Sequence, residues 1–395
     1  MSDNLNNKRV MFGGGRDYSV DMMRCISCMM VVAIHACAMS ARYYPFDSID
    51  TISETWMSVS FLKSATVSAT NLFLMISGIF FLSPERNVTP SKVWSKNILK
   101  LALAYVVWSV IYALMRIYYV TPRPFEMSDF INECLTQEVH LWYIPMMLGI
   151  YMLVPLMRLI TLNAEKKHYV YMVGLMIGAM TLNTIVLFDR TMDFPHDYQL
   201  STIVSFTPTA MICQYPFFCI LGYFIYTYPP KLKTRILIYF LGILGILFTF
   251  ASTVTVYVNA ANPDPALIQD KFAIGILAKN TAIFIFVITL FSKIRMHKAF
   301  TFVLSKISAA TLFIYLFHPV ALKVLFKNQC FFVDELPVFK TAVLDTLIAY
   351  FAGVVISIVL LQLIPWVKMK NLVLDAVWPT RKIWNGGKRF GGKRQ

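Results

Sequence analysis

Ten apolar runs of about 20 residues recur along this 395-residue chain, separated by short polar loops. A helix of that length crosses the hydrocarbon core of a bilayer, which is about 30 Å thick. Only 14% of the residues are charged, whereas a water-soluble domain carries about 25%. The sequence therefore predicts an all-α, polytopic integral membrane protein of about ten transmembrane helices. The predicted spans are 18–40, 59–82, 97–119, 139–160, 168–188, 207–228, 236–258, 272–291, 307–326 and 341–366.

The ends of the chain differ from the apolar part, so we expect three segments. Residues 1–17 form a polar N-terminal segment, residues 18–366 the transmembrane domain, and residues 367–395 a basic tail. The first apolar run is long and lacks a small-residue cleavage site, which favours a retained span over a signal peptide. Of the seven cysteines, only Cys25 and Cys28 have C-x2-C spacing; they lie inside an apolar run, and no second such pair or Cys/His cluster accompanies them. We therefore expect neither a disulfide framework nor a metal.

The charges of the loops alternate in sign along the chain and predict an orientation. The N-terminus, the loops from even to odd spans and the C-terminus together hold 23 Lys/Arg and 5 Asp/Glu, whereas the opposite loops hold 6 and 14. Lysine and arginine accumulate on the cytoplasmic side, so both termini are expected to be cytoplasmic. The net charge of +15 lies in loops and tail, where it sets topology and attracts anionic lipid rather than nucleic acid.

Arg24 and His35 are the most informative polar residues of the first span. They are close to three helical turns apart, so both side chains project from one face, about 16 Å apart along the axis. Ionisable groups inside a membrane are costly and mark functional sites by default. Two plainer interpretations stay open. His35 could make only a helix–helix hydrogen bond, and Arg24 could merely neutralise Asp21.

Three more ionisable residues are expected at a depth similar to that of His35. His140 opens the fourth span from the outer side, His318 lies well along the ninth, and Asp345 lies one turn into the tenth. Imidazoles and a carboxylate at one level can form an acid/base site, because histidine titrates near neutral pH. His140 and Lys323 lie close enough to the interface that they could instead be anchors.

Four lysines near or inside spans leave alternatives open. Lys96 and Lys100 either mark the inner end of the third span or bind an anionic ligand. Lys63 and Lys279 lie inside the second and eighth spans, and the sequence assigns neither of them a partner.

Four short motifs in chain order resemble the acyltransferase-3 family of bacterial membrane proteins. Arg24 and His35 have the spacing of the family's first-span signature, and the run NLFLMISG at 71–78 is similar to its second-span motif. Two further stretches are similar to later motifs: HLWY at 140–143, with Tyr151 and Pro155, and ISAATLFIYLFH at 307–318. The resemblance spans roughly residues 18–366.

The resemblance implies an O-acyltransferase that moves an acyl group, commonly acetyl, from cytoplasmic acyl-CoA to a hydroxyl of a surface polysaccharide or its lipid-linked precursor. Many members carry arginines where this chain has Lys96 and Lys100, and lysine lacks the bidentate fork of arginine. The resemblance gives His35 the role of the base, and His318, His140 and Asp345, expected at its depth, complete the candidate catalytic set. The implied ligands of coenzyme A are Arg24, Lys96 and Lys100. Asn71, Tyr315 and Trp142 are suggestions for the oxyanion donors.

The partners expected from this resemblance are acyl-CoA, a glycan or lipid-linked sugar, and the lipid of the bacterial inner membrane. A transporter or flippase of a polysaccharide intermediate is the alternative from another class, because intramembrane charges also mark transport paths. A membrane scaffold without activity is a third. Arg24 with His35 discriminates between them, because transport needs no base at a fixed distance from a donor-binding arginine.

Overall fold

The computed structural model describes residues 16–43, 54–86, 88–136, 138–192, 214–259, 272–327 and 338–363, and every regular element in these ranges is a helix. The helices are α1 (Tyr18–Tyr43), α2 (Glu54–Thr66), α3 (Thr70–Leu82), α4 (Pro90–Val120), α5 (Met127–Leu135), α6 (Val139–Asn163), α7 (Lys166–Met192), α8 (Tyr215–Thr227), α9 (Leu232–Asn259), α10 (Ile274–Lys293), α11 (Lys298–Lys327) and α12 (Val338–Leu363).

The prediction of an all-helical, multi-pass membrane protein is confirmed. Within the described ranges, nine helical segments are long and apolar enough to cross a bilayer, and α8 is a shorter apolar helix at the end of the sixth predicted span. The beginning of that span, 207–213, lies outside the described residues, as do residues 1–15 and the basic tail 367–395. The count of ten and the cytoplasmic termini therefore stay predictions.

The described helices form two compact units. Unit 1 draws on the described residues of 1–87, 156–297 and 332–347, and unit 2 on those of 88–155, 298–331 and 348–395. Helices α6 and α12 contribute residues to both. Unit 1 contains Arg24, His35 and Asp345, and unit 2 contains Lys96, Lys100, His140 and His318.

Two glycines bring α3 and α8 into backbone contact within unit 1. A Cβ added at Gly78 would lie 1.8 Å from the carbonyl oxygen of Cys219, and one added at Gly222 would lie 2.2 Å from that of Met75. Only glycine permits this approach, and small residues at helix crossings allow tight packing in membranes. The contact fixes the helix that carries the 71–78 run.

The second predicted span is confirmed as a membrane-length segment, but it is interrupted. Helix α2 ends at Thr66, α3 begins at Thr70, and the turn between them places Ser68 at a φ of 61°. This left-handed conformation is unfavourable for a residue with a Cβ. The sequence shows no glycine or proline between 67 and 69, so the cause of the break must be sought in the neighbouring helices.

Candidate active site

Helix α1 carries both Arg24 and His35 without interruption, so the separation of about three turns expected from the sequence applies along one helix. Both side chains are half-buried. The carboxylate of Asp21 accepts two hydrogen bonds from Arg16, at 2.5 and 3.0 Å. This bidentate pair supplies Asp21 with a cation other than Arg24.

The side chain of Phe80 brings two arginines together at one end of unit 1. The guanidinium carbons of Arg24 and Arg86 each lie 4.6 Å from the centroid of its ring. The two cations are therefore at most twice that distance apart. Stacking on an aromatic face stabilises a guanidinium, but the like charges repel. Partial desolvation and, second, the charge of Arg24 lower the pKa of Arg86 below its ordinary value.

Arg158 holds the segment that follows Phe80. The Nη1 group donates to the carbonyl oxygens of Phe81 and Ser83, both at 2.7 Å, and Nη2 donates to that of Arg86 at 3.0 Å. The side chain is only 9% exposed. Three carbonyl acceptors on one guanidinium fix the backbone that carries Arg86, so Arg24 and Arg86 form a prearranged pair of donors for an anion.

Asp345 and His35 lie on helices that meet within unit 1. Cys37, Val59 and Ala342 pack together. His35 precedes Cys37 by two residues on α1, and Asp345 follows Ala342 by three residues on α12. Asp345 is 5% exposed. The similar depth of His35 and Asp345 stays a prediction.

Lys279 on α10 acquires the partners that the sequence could not assign. Its Nζ donates to the carbonyl oxygens of Ser64, at 2.9 Å, and Val67, at 2.7 Å. The Nδ2 group of Asn280 donates to the carbonyl of Ser68 at 3.1 Å. Neither Lys279 nor Asn280 is exposed. Lys279 thus satisfies the carbonyls of Ser64 and Val67 at the break, whereas the carbonyl of Ser68 also accepts from the N–H of Asn71 at 3.0 Å. Together these bonds stabilise the interruption of the helix.

His140 and His318 come together in unit 2, as their expected depth required. Their ring centroids are 5.5 Å apart, and His140 lies 5.0 Å from the ring of Tyr112. The hydroxyl of Tyr315 donates to the carbonyl of His140, and that of Tyr112 donates to the carbonyl of Leu316 at 2.7 Å. His140 is 2% exposed, so it is packed inside the unit.

A network of ion pairs surrounds the chain segment that leads to His140. Glu138 lies 2.5 Å from Lys323 and 3.5 Å from Arg116. Arg116 also pairs with Glu133 at 3.0 Å, and Arg123 lies 2.6 Å from both Glu133 and Asp129. Lys323 is therefore an ion-pair partner on the helix of His318. The network joins α4, α5 and α11 to Glu138, the residue that precedes α6.

The comparisons with known proteins agree with this architecture. The family described as "Acyltransferase domain" (Acyl_transf_3) matches residues 17–363, which include every helix described above. The chain belongs to the acyltransferase-3 family. No curated protein and no solved structure matches it significantly. The family match indicates a membrane acyltransferase and gives the flippase alternative no support.

Lys96 and Lys100 lie at the beginning of α4 in this acyltransferase, near the π-helical turn Trp94–Ile98. Lys96 is exposed and Lys100 is half-buried. Both belong to unit 2, whereas the arginines on Phe80 belong to unit 1. Among the described residues, no three His, Cys, Asp or Glu side chains are grouped as metal ligands.

Sequence reasoning missed Arg86, Arg158 and Asn280. Arg86 looked like one of many basic residues in an inner loop, and its position over Phe80 depends on the fold. Arg158 left a usable signal, because it is a lone arginine within the apolar run 139–160 and such residues have interior partners. Asn280 is adjacent to Lys279, so two consecutive polar residues within a span were visible in the sequence.

Proposed function

We propose that this acyltransferase moves an acyl group, acetyl in the simplest case, from cytoplasmic acyl-CoA to a hydroxyl of a surface polysaccharide or its lipid-linked precursor. It would act as a multi-pass protein of the bacterial inner membrane with both termini cytoplasmic. The observation that carries the proposal is that Arg24 and Arg86 both stack on the ring of Phe80. Arg24 lies on the same helix as His35, about three turns away.

The donor has a highly charged nucleotide end and a long, thin arm that ends in the thioester. Two guanidiniums on a fixed backbone suit the phosphates, because arginine binds them through bidentate hydrogen bonds. The arm would follow α1 from Arg24 towards His35. This arrangement requires the charged end of the donor to stay on the cytoplasmic side, which agrees with the loop charges.

The reaction needs a base at the thioester end, and His35 is our candidate. Its imidazole takes the proton of the acceptor hydroxyl while the oxygen attacks the thioester carbonyl, forming a C–O bond and an oxyanion. The oxyanion collapses, the C–S bond breaks, and the departing thiolate takes the proton from the imidazolium. Asp345, which the sequence predicts at a similar depth, is our candidate for orienting the imidazole.

His140 and His318 are our candidates for acid/base or hydrogen-bonding work on the acceptor. Their buried, aromatic surroundings of Tyr112, Tyr143 and Tyr315 suit a sugar, which has apolar C–H faces and hydroxyls. Lys96 and Lys100 stay candidates for electrostatic attraction of the donor, since their charge does not require a fork-shaped contact.

The test compares variants of the purified full chain in lipid vesicles, with radiolabelled acetyl-CoA as donor. His35→Ala should lower turnover by about 10²–10⁴-fold and leave the affinity for coenzyme A unchanged. Arg24→Ala should weaken that affinity, and Arg24→Lys should restore it only in part. His297→Ala and Arg295→Ala, in the exposed loop before α11, are the matched controls.

Two results would contradict the proposal. A His35→Ala protein with near-normal transfer would remove His35 from the chemistry. A wild-type protein that moves a labelled lipid-linked sugar across the bilayer without consuming acetyl-CoA would favour the flippase.

A further inference from the structure

The break between α2 and α3 lies beside the proposed path of the acyl donor. Helix α1 packs against α2, α3 and α10, so the helix of His35 contacts both halves of the broken span and the helix of Lys279. Cys37 packs against Val59. Counting inward from that contact, His35 lies about 3 Å deeper and Ser64 about 7.5 Å deeper. The carbonyl of Ser64, which Lys279 contacts, is therefore about one turn inward of His35.

A buried lysine is an expensive way to satisfy two carbonyl groups. The neutral amide of Asn280 donates to the carbonyl of Ser68, which also accepts from the N–H of Asn71 at 3.0 Å, so neutral donors are sufficient for a carbonyl at this break. Taking an ammonium out of water costs far more than burying an amide. The charge of Lys279 therefore needs a reason other than capping.

The surroundings of the break contain further unused polar atoms. The Oγ of Ser68 and the Oδ1 of Asn280 are buried and have no hydrogen-bond partner among the described residues. Two of the three N–H groups of Lys279 bind the carbonyls. The buried N-terminal end of α3, at Ala69 and Thr70, also lies at the break, and its dipole favours negative charge. The remaining N–H of Lys279, the hydroxyl of Ser68 and the helix dipole favour an oxygen atom or an anion at this level, whereas the Oδ1 of Asn280 accepts only from a donor.

We propose that the ammonium of Lys279, fixed at the broken span, stabilises the oxyanion that forms when the acceptor attacks the thioester. This inference rests on the proposed acyl transfer and deepens it. As His35 takes the hydroxyl proton and the C–O bond forms, the thioester oxygen becomes negative just inward of the imidazole. A charge held in place within a low-dielectric interior stabilises that oxygen without reorganisation.

The experiment measures release of coenzyme A from acetyl-CoA by the full chain in lipid vesicles. Lys279→Gln can still donate a hydrogen bond to a carbonyl but carries no charge, and Lys279→Arg keeps the charge. We expect Lys279→Gln to lower kcat by about 10²–10³-fold with KM for acetyl-CoA changed less than about threefold, and Lys279→Arg to recover part of kcat. A merely structural role would give equal losses in both variants, in proportion to lost thermal stability.

The controls separate the possible failures. A wild-type protein that releases no coenzyme A contradicts the proposed function itself. An active wild type with an equally active Lys279→Gln variant contradicts only the role of Lys279. If Lys279→Gln does not fold, Lys279→Arg decides, because it keeps the charge at the break. The proposal then requires a folded Lys279→Arg to lose much less kcat than the loss of about 10²–10³-fold expected when the charge is removed, and a loss of that size overturns it.

Discussion

Unit 1 and unit 2 hold their buried cations in different ways. In unit 1, Arg158 and Lys279 donate to backbone carbonyls that lie far away in the sequence. In unit 2, Arg116 and Lys323 pair with carboxylates. Carbonyls offer only partial negative charge, so they neutralise a cation less than a carboxylate does.

The difference teaches how the acyltransferase can separate two tasks. A region that attracts an anionic donor and stabilises an oxyanion benefits from cations that are anchored but not neutralised. A region that holds two imidazoles close together benefits from a neutral frame, because uncancelled charge would bias their protonation. The carbonyl anchors of unit 1 and the ion-pair network of unit 2 fit these two requirements.

The largest effect is expected from Arg158→Met in unit 1. It leaves the carbonyls of Phe81, Ser83 and Arg86 without their donor, and we expect the free energy of unfolding to fall by about 3 kcal/mol. The freed segment should also weaken binding of coenzyme A, because Arg86 loses its fixed position. Titration with a denaturing detergent measures stability, and calorimetry measures the affinity.

Arg295→Met is the control for Arg158→Met, since Arg295 is exposed in a loop, and it should change neither quantity. Unchanged affinity in Arg158→Met would show that the carbonyl anchors do not serve donor binding. The contrast between the units would then be one of stability alone.

The sequence predicted the membrane spans of unit 1 but not the side chains that bind distant backbone carbonyls there. Apolar run length and loop charge depend on neighbouring residues, so the spans could be read directly. The break at Ser68 is held by Lys279 and Asn280, more than 200 residues later, and no local glycine or proline marks it. Arg158 likewise binds carbonyls more than 70 residues away.

The histidine pair of unit 2 was more predictable. Counting turns from the ends of the spans placed His140 and His318 at one depth, because helical rise is constant. The ion-pair network around the two histidines was not predictable. Glu138 and Lys323 are 185 residues apart, and their pairing depends on which helices are neighbours.

A smaller effect is expected when the ion pair of unit 2 is removed by Lys323→Met and Glu138→Gln. Each single change should cost about 1–2 kcal/mol, because both side chains are largely buried and the remaining charge loses its partner. The double variant should cost about 1 kcal/mol less than the sum of the two. Turnover should follow the same order, because the pair joins the segment of His140 to the helix of His318.

Lys298→Met, at the exposed start of the same helix α11, is the control for this cycle and should be neutral. Stability and turnover are measured on four proteins: the wild type, Lys323→Met, Glu138→Gln and the double variant. Strictly additive losses would mean that Glu138 and Lys323 do not act as a pair, and the network of unit 2 would then be held by Arg116.

The smallest effect concerns the edge of the network, where Asp129 on α5 accepts a hydrogen bond from Arg123 at 2.6 Å. This bond, with the charge of Arg123, lowers the pKa of Asp129 below its ordinary value, which is about 3.9. The folded carboxylate therefore contributes stability that is fully present above about pH 4 and is lost as the pH falls through the lower, folded value. The pair is solvent-exposed, so the contribution is small.

Hydrogen exchange of the α5 amides in the full chain, corrected for the intrinsic rate at each pH, measures this contribution. Wild-type α5 should stay protected at neutral pH and open more as the pH falls below about 4. Arg123→Gln should exchange faster at neutral pH, and the difference from wild type should shrink in acid, where Asp129 is protonated in both. Lys167→Gln removes an exposed pair with Glu165, 3.0 Å away, and should leave α5 unchanged. Equal exchange in wild type and Arg123→Gln at neutral pH would show that α5 is held by its other contacts, and that the ion pairs of unit 2 matter only near His140.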